Sequence, residues 1–284
     1  MNTTSIRIVT DSTADIPPLL LQQYDIRVVP INIQFGRETY EENVTIGRAT
    51  FLQWLDEREM PTTSQPSPGR FTQVFQALVE EGYEQLLCVA ITSKHSGTYQ
   101  SALLASSMMP QVQIEVWDSL AISMGTGFQA LAAARMAERG ASLEAILGQL
   151  EKIRDGMRTY FTPATLKYLQ KSGRVGTLSG VLASLLDIKP IIHVEDGTLD
   201  VREKVRTRGK ALKRMVELIM EDLAGAGSVR LAIPHAEALE EARWLGDQLE
   251  AVLNCAETHI VDLACSLTVH GGPGLVGVIA YGEE

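Results

Sequence analysis

Short apolar runs alternate along the first half of the chain with longer stretches whose apolar positions recur every three to four residues. Residues 6–10 (IRIVT) predict a first strand, followed through Asp11, Ser12 and Asp15 by a short helix over 17–24 and a second strand over 26–33. Residues 34–44 suggest a two-stranded excursion, and 46–58 a helix with Phe51, Trp54 and Leu55 on one face. Then come a helix over 71–81, a strand over 86–91, a helix starting near Thr98, a strand over 112–117 and helices over 123–138 and 143–158. Strands joined by helical crossovers form a mostly parallel sheet, with the connecting polar loops gathered at the carboxyl ends of the strands.

Beyond residue 158 the pattern changes. Strands over 159–161, 188–195 and 198–205, the second pair joined at Asp196-Gly197, include a hairpin. A helix over 209–223, a strand over 229–233, a helix over 236–253 and strands over 258–263 and 275–281 complete the chain. The fold class expected is α/β in two domains: an N-terminal α/β domain over 1–158 with a mostly parallel sheet, and a C-terminal α+β domain over 159–284.

Three polar turns punctuate this pattern. Residues 91–102 (ITSKHSGTYQSA) join a buried strand to a helix, so Ser96 is placed to cap that helix. The amides of Gly97, Thr98 and Tyr99 are then expected to face outward with the positive end of the helix dipole behind them, a suitable arrangement for a carboxylate or phosphate. Residues 62–68 (TTSQPSP) read as a stiff hydroxyl-rich loop with Pro68 suited to a first helical turn. Residues 270–274 (HGGPG) read as a glycine turn in which backbone can approach a ligand closely, with His270 able to donate a hydrogen bond or carry charge.

Composition narrows the function classes. The chain has 284 residues, 45% hydrophobic and 21% charged, consistent with an ordinary globular protein of two domains. A formal net charge of -10 argues against binding a nucleic-acid backbone. One basic run departs from that background: seven Lys or Arg against one Glu between Arg202 and Arg214, either a solvated face or a surface steering an acidic partner.

Cys88, Cys255 and Cys265 form neither a C-x-x-C nor a zinc spacing, and they predict reduced core residues and no metal site. No charged segment followed by an apolar run opens the sequence, so a cytoplasmic location is expected. The most apolar window, 178–192, is interrupted by Ser179, Ser184, Asp187, Lys189 and Pro190, too polar for a bilayer span. Transient contact with a membrane surface stays open.

Seven strings occur in order: IVTDSTAD at 8–15, TSQPS at 63–67, SGTYQSA at 96–102, WDSLAISMGTG at 117–127, YLQKSGRVG at 168–176, EKVRTRGKAL at 203–212 and the terminal HGGPG. Together they make nearly the whole chain resemble the DegV family of bacterial fatty-acid-binding proteins. The resemblance implies a carrier, not an enzyme, that holds a long-chain fatty acid in a tunnel between or near the domains. It also implies a partner, a separate ATP-dependent fatty acid kinase that makes an acyl phosphate for phospholipid synthesis, and no cofactor on the carrier itself.

The family's carboxylate contacts fall on Thr63, Ser96 with Gly97, and His270, which would reach the Ser96 turn across the domain interface. Arg174 and Arg206 match polar positions assigned to the head-group rim or the kinase-facing surface. Two positions depart from the family pattern: His95 stands where an apolar residue is common, and Gly271 where a larger one is usual.

An apolar lining for the acyl chain is offered by 178–192, with Leu103, Met124 and Phe128 as further bulk. At roughly 0.8 kcal/mol per methylene, burying about 14 methylenes gains on the order of 10 kcal/mol before ordering costs. An unpaired buried carboxylate would cancel much of that, hence the need for hydroxyl and amide donors at the head group. The competing reading is a serine hydrolase, an esterase using Ser96, His270 or His95, and Asp11 or Asp118, although the G-x-S-x-G elbow is absent. A phosphotransfer or sugar-handling role for His270 or His235 has no distinguishing motif, and His193, His235 and His259 read as structural.

Overall fold

A computed structural model of the chain describes residues 6–173 and 188–283. The chain divides between Asp155 and Gly156 into two compact units. In the first, the strands β1 (Ile6–Asp11), β2 (Arg27–Val29), β6 (Gln85–Ala90) and β7 (Gln113–Asp118) form one sheet in the order β2-β1-β6-β7, every pairing parallel. This is the architecture that alternating strand and helix patterns predict. Helices α3 (Pro68–Glu80) and α4 (Thr98–Ser107) cover the sheet, their Phe71, Phe75 and Ala102 packing with Val9, Leu86 and Cys88 in one fully buried cluster. Helix α3 starts where its sequence says it should: Ser67 Oγ accepts the Arg70 N–H at 3.2 Å, and Pro68 occupies the first turn, where its missing N–H costs nothing.

The remaining helices of this unit are α1 (Pro18–Gln23), α2 (Arg48–Glu57), α5 (Met124–Glu138) and α6 (Leu143–Gly156). Two expectations are corrected here. The apolar run 26–33 is not one strand: Pro30 cannot donate to a ladder, and the chain breaks there, β2 ending at Val29 and β3 (Asn32–Phe35) joining another sheet. That second sheet has the order β4-β3-β5, with β4 (Glu38–Glu41) and β5 (Thr62–Ser64) both antiparallel to β3. The segment expected to be a loop at 62–68 therefore begins as an edge strand. Trp54 of α2 packs edge-on to Phe35 and Tyr40 with the Arg58 guanidinium 3.6 Å above its ring, a scaffold role.

The second unit is built on β8 (Arg158–Thr162), β9 (Lys189–Glu195), β10 (Thr198–Val205), β11 (Ser228–His235), β12 (Cys255–Asp262) and β13 (Val276–Glu283). Their order is β10-β9-β8-β13-β11-β12, antiparallel except for the β11–β12 pair. Asp196 (φ 48°) and Gly197 (φ 77°) turn β9 into β10, both at the positive φ that a tight hairpin demands. Helix α8 (Arg208–Asp222) is capped by Thr207, whose hydroxyl accepts the Lys210 N–H at 3.3 Å, and it buries Leu212, Met215 and Ile219 against the sheet beside α9 (Leu239–Glu250).

Two short helices escaped the sequence pattern: α7 (Lys167–Ser172) and α10 (Cys265–Gly271). Arg174 and the greater part of the proposed tunnel segment, 178–187, lie outside the described residues. Of that segment's remainder, Ile191 and Ile192 are fully buried strand residues of β9, and Ile191 belongs to the second unit's core. Met124 and Phe128 are likewise buried, whereas Leu103, expected as tunnel bulk, is 41% exposed on α4. Among the described residues no helix is long and apolar enough to cross a membrane.

Candidate functional site

The Ser96 turn leaves the carboxyl end of β6, a central strand of the parallel sheet. Ser96 Oγ accepts the Thr98 N–H at 3.2 Å and shares a 2.8 Å hydrogen bond with Thr98 Oγ1. The N-cap position expected of Ser96 is taken by Gly97, with no side-chain cap, and Ser96, one residue earlier, instead occupies the Thr98 amide, which does not face outward as expected. Either hydroxyl can be the donor of the Ser96–Thr98 bond, and the Thr98 hydroxyl is fully buried. Burial, then the carboxylates of Asp118 and Glu115, push the Tyr99 phenol above its ordinary range, so it stays a neutral group beside this turn.

Thr63 sits at the middle of β5, paired with Ile33, and two residues on the chain reaches the Ser96 turn directly. A β-carbon on Gly97 would stand 2.9 Å from Gln65 Cδ, so the missing side chain is what lets the TSQPS segment lie against this turn. Asn32 Nδ2 donates to the Gln65 carbonyl at 3.2 Å and fixes the same segment from β3. The structure thus brings the Thr63 segment and the Ser96–Gly97 turn together within the first unit. Gln65 was not singled out by sequence reasoning, although it lies inside the TSQPS string.

His270 belongs to the second unit and is half-buried at the penultimate position of α10. This corrects the expectation of a free glycine turn: the imidazole is carried by a helix, at the end where a positive charge is favoured, and the turn begins only at Gly272. The turn is pinned by Gly272 N–H to the Thr268 carbonyl at 2.8 Å and Gly274 N–H to the Ala236 carbonyl at 2.6 Å. Gly272 also packs tightly, since a β-carbon there would lie 2.7 Å from Tyr168 Cγ.

The basic run divides into structural and exposed members. Arg208 donates to Glu241, to the Thr162 carbonyl at 2.7 Å and to the Gly274 carbonyl at 2.7 Å. Arg214 is ringed by Glu203, Glu217 and Glu221. Arg206 is exposed just ahead of α8. A cleft of about 740 Å³ in the second unit is lined by Glu237, Glu240, Glu241 and Asp262 against Lys189 and Arg208. With Arg208 already bonded to Glu241, that cleft is acidic and ill-suited to a carboxylate.

The two carboxylates of the hydrolase reading hold backbone. Asp11 is fully buried and accepts from the Thr13 N–H, the Thr13 hydroxyl and the Ile91 N–H. Asp118 accepts the Ser93 N–H at 3.1 Å and the Leu120 N–H at 3.2 Å. Both carboxylates accept from backbone amides, and Ser96 Oγ is bonded to Thr98. Among the described residues no group of three or more His, Cys, Asp or Glu is arranged to hold a metal ion.

The sequence profile described as "Uncharacterised protein, DegV family" matches residues 5–283. A DegV domain-containing protein from Halalkalibacterium halodurans is 36% identical over 283 residues, spanning 99% of this chain and 100% of that one. Among solved structures, a DegV family protein from Thermus thermophilus described for its fatty acid binding gives a TM-score of 0.93 at 32% identity, covering 98% of this chain and 100% of that one. DegV from Bacillus subtilis, described as a fatty acid binding protein, gives 0.89 at 32% identity, covering 99% and 100%.

Proposed function

This chain belongs to the DegV family, and we propose that it is a carrier that binds a long-chain fatty acid and presents the carboxylate to a separate ATP-dependent fatty acid kinase for acyl-phosphate formation. The observation that carries this reading is the full-length likeness to fatty acid binding DegV structures, coupled to a hydroxyl-bearing turn of the right donor chemistry. In this reading the chain acts in the cytoplasm and supplies phospholipid synthesis.

The carboxylate accepts from Thr63 Oγ1, Ser96 Oγ and the amide of Gly97, with His270 as the cationic or neutral imidazole donor. Arg206, exposed and without the tethering of Arg208, is the better candidate for contact with the kinase. Arg174 takes the rim role that the resemblance implies. The chain's own residues bind and orient; phosphoryl transfer is the kinase's chemistry. No observation favours the hydrolase over this reading.

The test is affinity for palmitate and oleate, and kinase-dependent acyl-phosphate formation, for Thr63→Ala, Ser96→Ala, His270→Ala and the double Ser96→Ala/His270→Ala. Each lost hydrogen bond to a charged acceptor weakens binding by about 1.5 to 3 kcal/mol, with His270→Ala the larger loss if the ring is protonated. Parent-like binding and turnover in all four variants would show that the head group is held elsewhere.

A further inference from the structure

The strand order places the carboxyl ends of β1, β6 and β7 side by side, with β6 in the middle. β1 ends on Asp11 and β7 ends on Asp118, so a carboxylate stands on either side of the loop that leaves β6. From the β1 side Asp11 Oδ2 accepts the Ile91 N–H at 2.8 Å. From the β7 side Asp118 Oδ1 accepts the Ser93 N–H at 3.1 Å. Between these, the Thr92 N–H donates to the Ala121 carbonyl at 3.0 Å, and the Lys94 N–H donates to Thr92 Oγ1 at 3.2 Å. Four successive amides are thus held by acceptors from three segments before the chain reaches Ser96.

We infer that Asp118, seconded by Asp11, is a positioning residue that sets the Ser96–Gly97 turn in the geometry needed to receive a carboxylate head group. The inference rests on the assignment of Ser96 to the head group. Asp118 touches no ligand in this scheme. It fixes the loop's direction, and by accepting the Leu120 N–H at 3.2 Å it also secures the return turn, where Leu120 sits at φ 48°. A β-branch-free residue at positive φ still needs such support. Ser119 Oγ, accepting the Ala121 N–H at 3.2 Å, holds the same turn and with it the Ala121 carbonyl that grips Thr92.

The experiment compares palmitate and oleate with the corresponding fatty alcohols, which fill the same apolar space without a carboxylate. In Asp118→Ala the affinity for the acids falls on the order of ten-fold, the scale of one misplaced hydrogen bond to a charged acceptor, while alcohol binding stays within about two-fold, below the same scale. Asp118→Asn keeps an acceptor oxygen for Ser93 and binds the acids like the parent. Equal loss for acid and alcohol, no loss for either, or a deficient Asp118→Asn overturns the positioning role.

Ser96→Ala measured alongside separates the two claims. If it fails to distinguish acid from alcohol, the head-group reading falls and takes this inference with it. If it distinguishes them and Asp118→Ala does not, only the positioning role falls. Amide exchange in the parent protein supplies a readout that needs no substitution: the Ile91 and Ser93 amides exchange slowly if the two carboxylates hold them, and rapid exchange at Ser93 contradicts the scheme.

Discussion

Asp11 and Ile91, eighty positions apart, are joined by a 2.8 Å hydrogen bond from the Ile91 amide to the Asp11 carboxylate inside the first unit. Burial raises the Asp11 carboxyl above its ordinary value, outweighing the lowering influence of the Thr13 hydroxyl and the Ile91 and Thr13 amides. The folded state therefore binds this proton more tightly than the unfolded chain, whose value is about 3.9. Asp11's contribution to stability is greatest at low pH, declines as pH rises past the unfolded value, and levels off above the folded one. Stability of the parent relative to Asp11→Asn is expected to fall with rising pH in urea unfolding from pH about 4 upward. A relative stability that rises instead would mean that the amide donors dominate and the carboxyl is depressed.

Gly272 is the point where α7 and α10 meet: φ is 78° and the Tyr168 ring fills the space of the missing side chain. Gly272→Ala should destabilise the protein by about 1 to 3 kcal/mol through strain and overpacking. Removing the ring as well, in Tyr168→Ala/Gly272→Ala, should recover the packing part and leave the φ part. Thermal or denaturant unfolding of the two singles and the double gives the coupling directly. Strict additivity would show that the ring and the glycine do not share this space.

Arg206 and Arg208 separate surface charge from structure within one basic run. Arg208→Ala strips hydrogen bonds from Glu241 and from the Thr162 and Gly274 carbonyls, and a loss of about 2 to 4 kcal/mol in unfolding free energy is expected. Arg206→Ala should leave stability within about 0.5 kcal/mol and lower only kinase-dependent acyl-phosphate formation. A destabilised Arg206→Ala, or an unaffected Arg208→Ala, reverses the assignment.

The parallel sheet and its crossovers were legible because buried strands and amphipathic helices impose different periods on the chain. Local rules located Pro68 and the Asp196-Gly197 turn correctly for the same reason: each is decided by residues near in sequence. What pattern missed was decided by distant partners. Thr62–Ser64 is a strand only because β3 offers an antiparallel edge, and residues 265–271 form a helix because Val269 and Cys265 find burial there.

The candidate site was legible in its chemistry but not in its support. The hydroxyl of Ser96 can be read from the SGT string, but the grip of Asp11 and Asp118 on Ile91 and Ser93 depends on strand order, which no local motif encodes. The same long-range bonds explain why Asp11 and Asp118, attractive as triad members on paper, act as backbone acceptors.

The account's central claim, that the chain is a fatty acid carrier, is tested most directly by denaturing mass spectrometry of the protein purified without detergent, with the released small molecules weighed. The account predicts close to one equivalent of free long-chain fatty acid per chain, its retention lowered in Ser96→Ala. Protein that carries no fatty acid and takes up neither palmitate nor oleate when they are supplied would contradict it.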